Sequence, residues 1–150
     1  MTDLKEHLRT DLTAAMKGRD ELRTATLRMV LAAVSAEEVA GKQARALSDD
    51  EVQAVLRREA KKRREAAEAF AAAGRPEQAA REQAEGEVLA GYLPVQLEDA
   101  DLAAIVADVI TTTGASGMKY MGRVMGPAQA AVAGRADGAR AAAEVRRQLG

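Results

Sequence analysis

Apolar residues recur at helical spacing along nearly the whole chain. Leu4, Leu8, Leu12 and Met16 repeat every four residues with Ala15 beside them, which predicts an amphipathic helix from about Thr2 to Lys17. Gly18 and Asp20 mark a turn, and Leu22, Leu27, Val30, Leu31 and Val34 predict a second helix over roughly Glu21 to Ala40. A polar connection from Gly41 to Leu47 leads to the longest uninterrupted stretch, Ser48 to Gly74. Ser48 and Glu51 have the spacing of a capping box, and Gly74 suits the left-handed residue that ends a helix. At 1.5 Å per residue that rod would be about 39 Å long. Its apolar stripe holds Val52, Val55, Leu56, Ala60, Ala67 and Phe70, with Glu59 and Arg63 in the middle of it. The two are four residues apart with the acid first, so they can pair on one face. Arg57, Arg58, Lys61, Lys62 and Arg64 mostly line the opposite face, either as a solvated surface or as a phosphate-contacting one.

Arg75-Pro76 then breaks the chain, and Pro76 fits a first helical position. A fourth helix runs to about Gly91, with Ala79, Ala80, Val88 and Leu89 for packing. The short connection sets helices three and four antiparallel. Tyr92-Leu93-Pro94 must extend, because the residue before a proline avoids the helical region. A domain boundary is placed there, giving domains 1–94 and 95–150. Beyond it Leu102, Ile105, Val106, Val109 and Ile110 predict a helix that starts near Leu97 and Asp99. Thr113 to Gly117 reads as a loop and Met118 to Met125 as a short helix, with Pro127 either starting the next turn or kinking it. Asp137 is a plausible cap for a last helix, inward on Ala142, Val145 and Leu149. No strand pattern survives, so the fold class is all-α: an N-terminal helical domain with a long central helix, then a small C-terminal three-helix domain.

Composition sharpens this picture. Phe70, Tyr92 and Tyr120 are the only aromatics in 150 residues, so aliphatic residues and alanine must fill the interior, which suits closely approaching helices. There is no cysteine, which excludes disulfides and Cys-ligated zinc. Without an apolar leader or a run of about 18 apolar residues, a soluble cytoplasmic protein with no membrane partner is expected. The net charge of −1 is unevenly spread. Glu98 to Asp108 carries four acids and no base, which favours a helix start. Val109 to Gly150 carries six bases (Lys119, Arg123, Arg135, Arg140, Arg146, Arg147) against Asp137 and Glu144.

Catalytic chemistry finds little support. Only Ser35, Ser48 and Ser116 could replace a cysteine nucleophile, and Ser48 is accounted for as a cap. His7, the single histidine, lies beside the Leu4–Leu8 stripe in a surface or packing role. No phosphate-binding G-x-x-x-x-G-K-[ST] loop is present. Gly122 and Gly126 read as close helix packing rather than a dinucleotide loop. Glu82, Glu85 and Glu87 read as partners of Arg75, Arg81 or bases on helix three rather than a metal site. No cofactor and no metal is expected.

Several segments together resemble the YqeY family, free-standing relatives of the tail of GatB, a subunit of the tRNA-dependent amidotransferase. They are Thr26-Leu27-Arg28-Met29, Lys61-Lys62-Arg63-Arg64-Glu65, Ala73-Gly74-Arg75, then Glu82, Glu85 and Glu87 leading into Tyr92-Leu93-Pro94, Met121-Gly122-Arg123-Val124-Met125-Gly126 and Gly134-Arg135-Ala136-Asp137-Gly138. They cover essentially the whole chain in the family's order. Gly86 departs from the pattern where a large apolar residue is usual, and Tyr120 where an acid usually precedes Met-Gly. The resemblance implies an all-α, two-domain accessory module that contacts tRNA and lacks a catalytic centre of its own. The label carried by homology, carbon–nitrogen ligase activity with glutamine as amido-N donor, belongs to the whole amidotransferase. Taken with the basic last third, the expected RNA contacts are Lys119, Arg123, Arg135 and Arg140, with Arg146 and Arg147 secondary. A protein-interaction module without nucleic acid, using an apolar groove near Tyr92 and Leu93, is the alternative.

Overall fold

The computed structural model describes residues 3–150, and among them there are helices and connections but no strand. Contacts divide the chain after Leu93 into two units, each described by itself. In the first unit, α1 (Leu4–Lys17) starts on Asp3, whose carboxylate accepts from the Glu6 N–H. Thr2, the expected start, lies outside the described residues. α2 (Glu21–Glu38) starts the same way on Asp20, which accepts from the Arg23 N–H. Each such cap satisfies an otherwise orphaned donor of the first turn.

The long helix α3 (Asp49–Ala72) has the expected capping box: Ser48 Oγ accepts from the Glu51 N–H, and the Glu51 carboxylate accepts from the Ser48 N–H, both at 3.2 Å. Arg45 grips the same carboxylate with both terminal nitrogens. That grip is the main cause holding the Glu51 pKa down at about 2. The far end closes with Gly74 at φ +72°, where the Arg75 N–H donates to the Phe70 carbonyl at 2.8 Å and the Gly74 N–H to that of Ala71 at 3.2 Å. This is a Schellman ending, and the left-handed residue it needs is most easily glycine. α4 (Pro76–Ala90) begins on its proline and folds back along α3, with which it makes the most extensive contact in the chain.

Leu8, Leu27, Val30, Val34, Val52, Val55, Leu56 and Leu89 fill the centre of this unit, one or more from each of its four helices. Buried Thr26 returns its hydroxyl to the Leu22 carbonyl at 2.8 Å, so α2 hides no unpaired group there. Arg63 is the charged centre of the α3–α4 contact. It lies 3.8 Å from Glu59, 3.4 Å from Glu82 and 3.6 Å from Glu85, and its Nη1 donates to Met29 Sδ at 3.1 Å. Lys62 and Arg81 supply the remaining positive charge, at 3.2 Å from Glu59 and 3.3 Å from Glu85. The expected Glu59–Arg63 pair is therefore present, and Glu82 and Glu85 meet bases as expected.

The second unit contains α5 (Asp99–Thr113), a 3-10 turn (Met118–Tyr120) running directly into α6 (Met121–Val132), and α7 (Gly138–Leu149). Its core is Leu102, Val106, Val124, Ala128, Val132, Ala136, Ala141, Val145 and Leu149. Three expectations need correction. α7 turns Ala141 inward rather than Ala142, because Ala141, Val145 and Leu149 form the i, i+4, i+8 row. α6 does not end at Met125 but runs through Pro127, which sits on its exposed side. Gly122 and Gly126 do not serve close packing: a Cβ at either would meet nothing within 4 Å. The packed row of α6 is Val124, Ala128 and Val132, and both glycines lie roughly opposite it.

Two substitutions test this arrangement. Leu56→Ala should cost about 2–5 kcal/mol in urea unfolding, the range for a fully buried leucine. Arg63→Ala should cost roughly 3 kcal/mol, the low end for a broken buried pair since a fifth of the side chain stays exposed. A loss below about 1 kcal/mol would mean that Glu59, Glu82 and Glu85 tolerate one another without it.

Candidate nucleic-acid interface

The structure sends the six basic residues of the last third to different tasks. Lys119 and Arg123 are exposed and flank one aromatic ring. Lys119 Nζ and the Arg123 guanidinium carbon each lie 5.3 Å from the centre of Tyr120. Both distances suit a cation–π contact. Arg123 reaches the ring because the two are three residues apart where the 3-10 turn passes into α6. Neither base has an acid partner among the described residues, so their charge is open to solvent. Arg146 is also exposed and without an ion-pair partner among the described residues.

Arg135 and Arg140 are tied to backbone carbonyls, and Arg147 is paired within its own helix. Arg135 donates from Nε to the Val132 carbonyl at 3.0 Å and from Nη2 to that of Ala131 at 2.9 Å. Those are carbonyls at the negative end of α6, where a cation is favoured. Arg140 Nη2 donates to the Leu97 carbonyl at 2.9 Å and to Asp99 Oδ1 at 2.8 Å, which fastens α7 to the start of α5. Arg147 holds Glu144 through two nitrogens. With Gln148 donating as well, this grip pulls the Glu144 carboxyl down to a pKa of about 2 and raises that of Arg147. A shallow groove between α5 and α7 runs past these pairs over Ala100, Ala103 and Ala143.

Tyr120 was legible only as a departure from a family pattern. The signal that marks it as part of a site is its spacing, with a lysine one residue before and an arginine three after.

In the first unit, the other tyrosine is consumed internally. Tyr92 donates its hydroxyl hydrogen to Asp11 Oδ2 at 2.5 Å and accepts from Arg23 Nη2 at 2.8 Å. His7 places its ring edge-on at 5.6 Å and its Nε2 at 3.3 Å from the same Asp11 oxygen. Burial, and then the bond to Asp11, pushes the Tyr92 pKa well above the usual phenol value. Tyr92 and Leu93 pack against the core of their own unit. Glu87 is exposed, and no group of three or more His, Cys, Asp or Glu side chains among the described residues could hold a metal ion. No helix among them is long and apolar enough to cross a membrane.

Lys119 and Arg123 thus keep N–H donors free beside the Tyr120 ring, the kind of donor that phosphate and carboxylate oxygens accept from. The sequence matches the family described as Yqey-like protein over residues 5–149. The chain belongs to the YqeY family. The match includes both units and both tyrosine clusters. A comparison with curated proteins gives no match.

The ion pair of Glu144 has a consequence in acid. Its carboxyl stands near 4.5 when unfolded and about 2 when folded. A lowered carboxylate pKa contributes stability that is complete above the unfolded value and is lost as pH falls toward the folded one. Titration of the Glu144 carboxyl by NMR should therefore show a midpoint near 2, and Arg147→Gln should return it toward 4.5. A wild-type midpoint near 4.5 would show that the pair does not hold in solution.

Proposed function

We propose that this YqeY-family chain is a cytoplasmic RNA-binding accessory module, acting on tRNA or beside a tRNA-dependent amidotransferase, with no catalytic centre of its own. The observation that carries the reading is the exposed pair Lys119 and Arg123 on Tyr120, uncompensated by any acid among the described residues. Cations left open on a rigid helix start are suited to backbone phosphates, which position an RNA without reading its sequence. Arg146 extends the surface. On this reading Arg140 acts mainly by fastening α7 to the start of α5 and Arg135 by capping α6, while Arg147 is paired with Glu144 on its own helix.

A second reading, a protein-interaction module without nucleic acid, draws on the net charge of −1 and on Met118, 46 % exposed beside Lys119. Under that reading a partner should persist through nuclease treatment of a lysate. Amide transfer from glutamine is a third, tested by incubation with glutamine, ATP and misacylated tRNA.

A tRNA titration by fluorescence anisotropy over a salt series separates the first two. Lys119→Ala with Arg123→Ala should weaken binding and lower the salt slope by about 2, one for each phosphate no longer neutralised. Unchanged affinity in the charge-reversed pair, Lys119→Glu with Arg123→Glu, would remove this surface from the proposal.

A further inference from the structure

The long helix of the first unit holds a second set of open cations. Residues 57–64 contain six bases and one acid. The structure sorts the six into two groups. Arg58 lies 3.3 Å from Glu37, Lys62 is 3.2 Å from Glu59, and Arg63 sits among three carboxylates. Arg57, Lys61 and Arg64 have no ion-pair partner among the described residues. These three are spaced i, i+4 and i+7, so they form one row. The row lies opposite the buried stripe of Val52, Val55, Leu56 and Glu59, with Lys61 and Arg64 exposed and Arg57 partly so.

The arrangement works against helix stability. Arg57–Lys61 and Lys61–Arg64 are like charges at helical contact spacing, which repel. Acids do follow one turn later, Glu65 after Lys61 and Glu68 after Arg64, but base-before-acid is the weaker order, and neither pair closes within 4 Å. On its packed side the same helix uses the stronger order, Glu59 before Lys62 and Arg63. The same row continues into Glu68, so the three cations form one basic block of about two turns ahead of an acid. A row of cations held at helical rise on a capped rod matches a regularly charged polyanion.

We infer that Arg57, Lys61 and Arg64 form a second contact row for the phosphodiester backbone of structured RNA, separate from Lys119 and Arg123. The inference rests on the RNA-binding reading above and adds the first unit to it. The paired bases Arg58 and Lys62 do not contribute.

The test uses the whole chain and tRNA, by fluorescence anisotropy over a salt series, with four proteins: wild type, Arg57→Gln/Lys61→Gln/Arg64→Gln, Arg58→Gln/Lys62→Gln, and Lys119→Ala/Arg123→Ala. The first triple variant should lose at least tenfold in affinity at low salt and lower the slope by about 2–3. The Arg58/Lys62 variant should keep the wild-type slope. Thermal melts by circular dichroism should show the triple variant at or above wild-type Tm, since it removes like-charge repulsion. Equal loss in the Arg58/Lys62 variant would overturn the row in favour of diffuse charge. A fall in Tm for the triple variant would overturn it in favour of a structural role. Unchanged binding in the triple variant alongside loss in the Lys119/Arg123 variant would overturn this inference and leave the functional reading standing. No tRNA binding by wild type would overturn both.

Discussion

The guanidinium of Arg63 is the constraint on which the first unit depends. It joins α3 to α4 where a purely apolar seam would serve, and it also touches the sulfur of Met29 on α2. Three acids converge on it, and removing charge from water is costly unless every partner is in place. Its Nε and Glu82 Oε2 are buried without a formal hydrogen bond, so their attraction at 3.4 Å is Coulombic more than directional. Gly86 faces this site, where an added Cβ would come 3.7 Å from that of Arg63. That is an ordinary van der Waals distance, so the glycine leaves room for a methyl group beside the Arg63 stem. The capping box and the Schellman ending fix where α3 begins and ends, and so where Arg63 stands relative to Glu82 and Glu85.

The same logic separates structural from available charge elsewhere. An arginine that caps carbonyls, as Arg135 does, or bridges helices, as Arg140 does, has part of its guanidinium fixed by the fold. One resting on an aromatic face keeps it open, because the ring leaves the N–H groups free to bond. The net charge of the chain is close to zero, yet among the described residues many cations have no acid partner; single ones such as Arg19, Arg75 and Arg146 are scattered, and two short sets stand together at residues 57–64 and 119–123. Local availability, rather than total charge, decides what such a surface can attract.

Much of the fold was legible because its signals are local. The start of α3 at Ser48 and its end at Gly74 follow from two short motifs, and the Glu59–Arg63 pair follows from spacing alone. Family membership was legible in the ordered motifs from Thr26 to Gly138. What was not legible involves either residues with weak preferences or partners far apart in sequence. Ala141 and Ala142 differ by one position and offer the same side chain, so only the packed row separates them. Gly122 and Gly126 suggested close approach, but their place opposite Val124 and Ala128 reverses that reading. The six basic residues looked equivalent as a count. Their division into open and committed groups depends on Asp99, Leu97 and the end of α6, which a charge tally does not register.

Tyr92 bears on how the chain is made as well as on how it rests. Its hydroxyl joins Asp11 and Arg23, residues 81 and 69 positions earlier. Synthesis proceeds from the amino terminus, so α1 and α2 leave the ribosome long before the residue that ties them together. Their apolar faces can meet each other and then α3 as these emerge, but the tie through Tyr92 must wait for the end of α4, and contacts of such long sequence separation close slowly. The second unit joins three short helices, and its closure spans at most the residues from Pro94 to Gly150. The first unit is therefore the one with a late-forming polar tie, made by the last aromatic residue before Pro94 to two helices already synthesised.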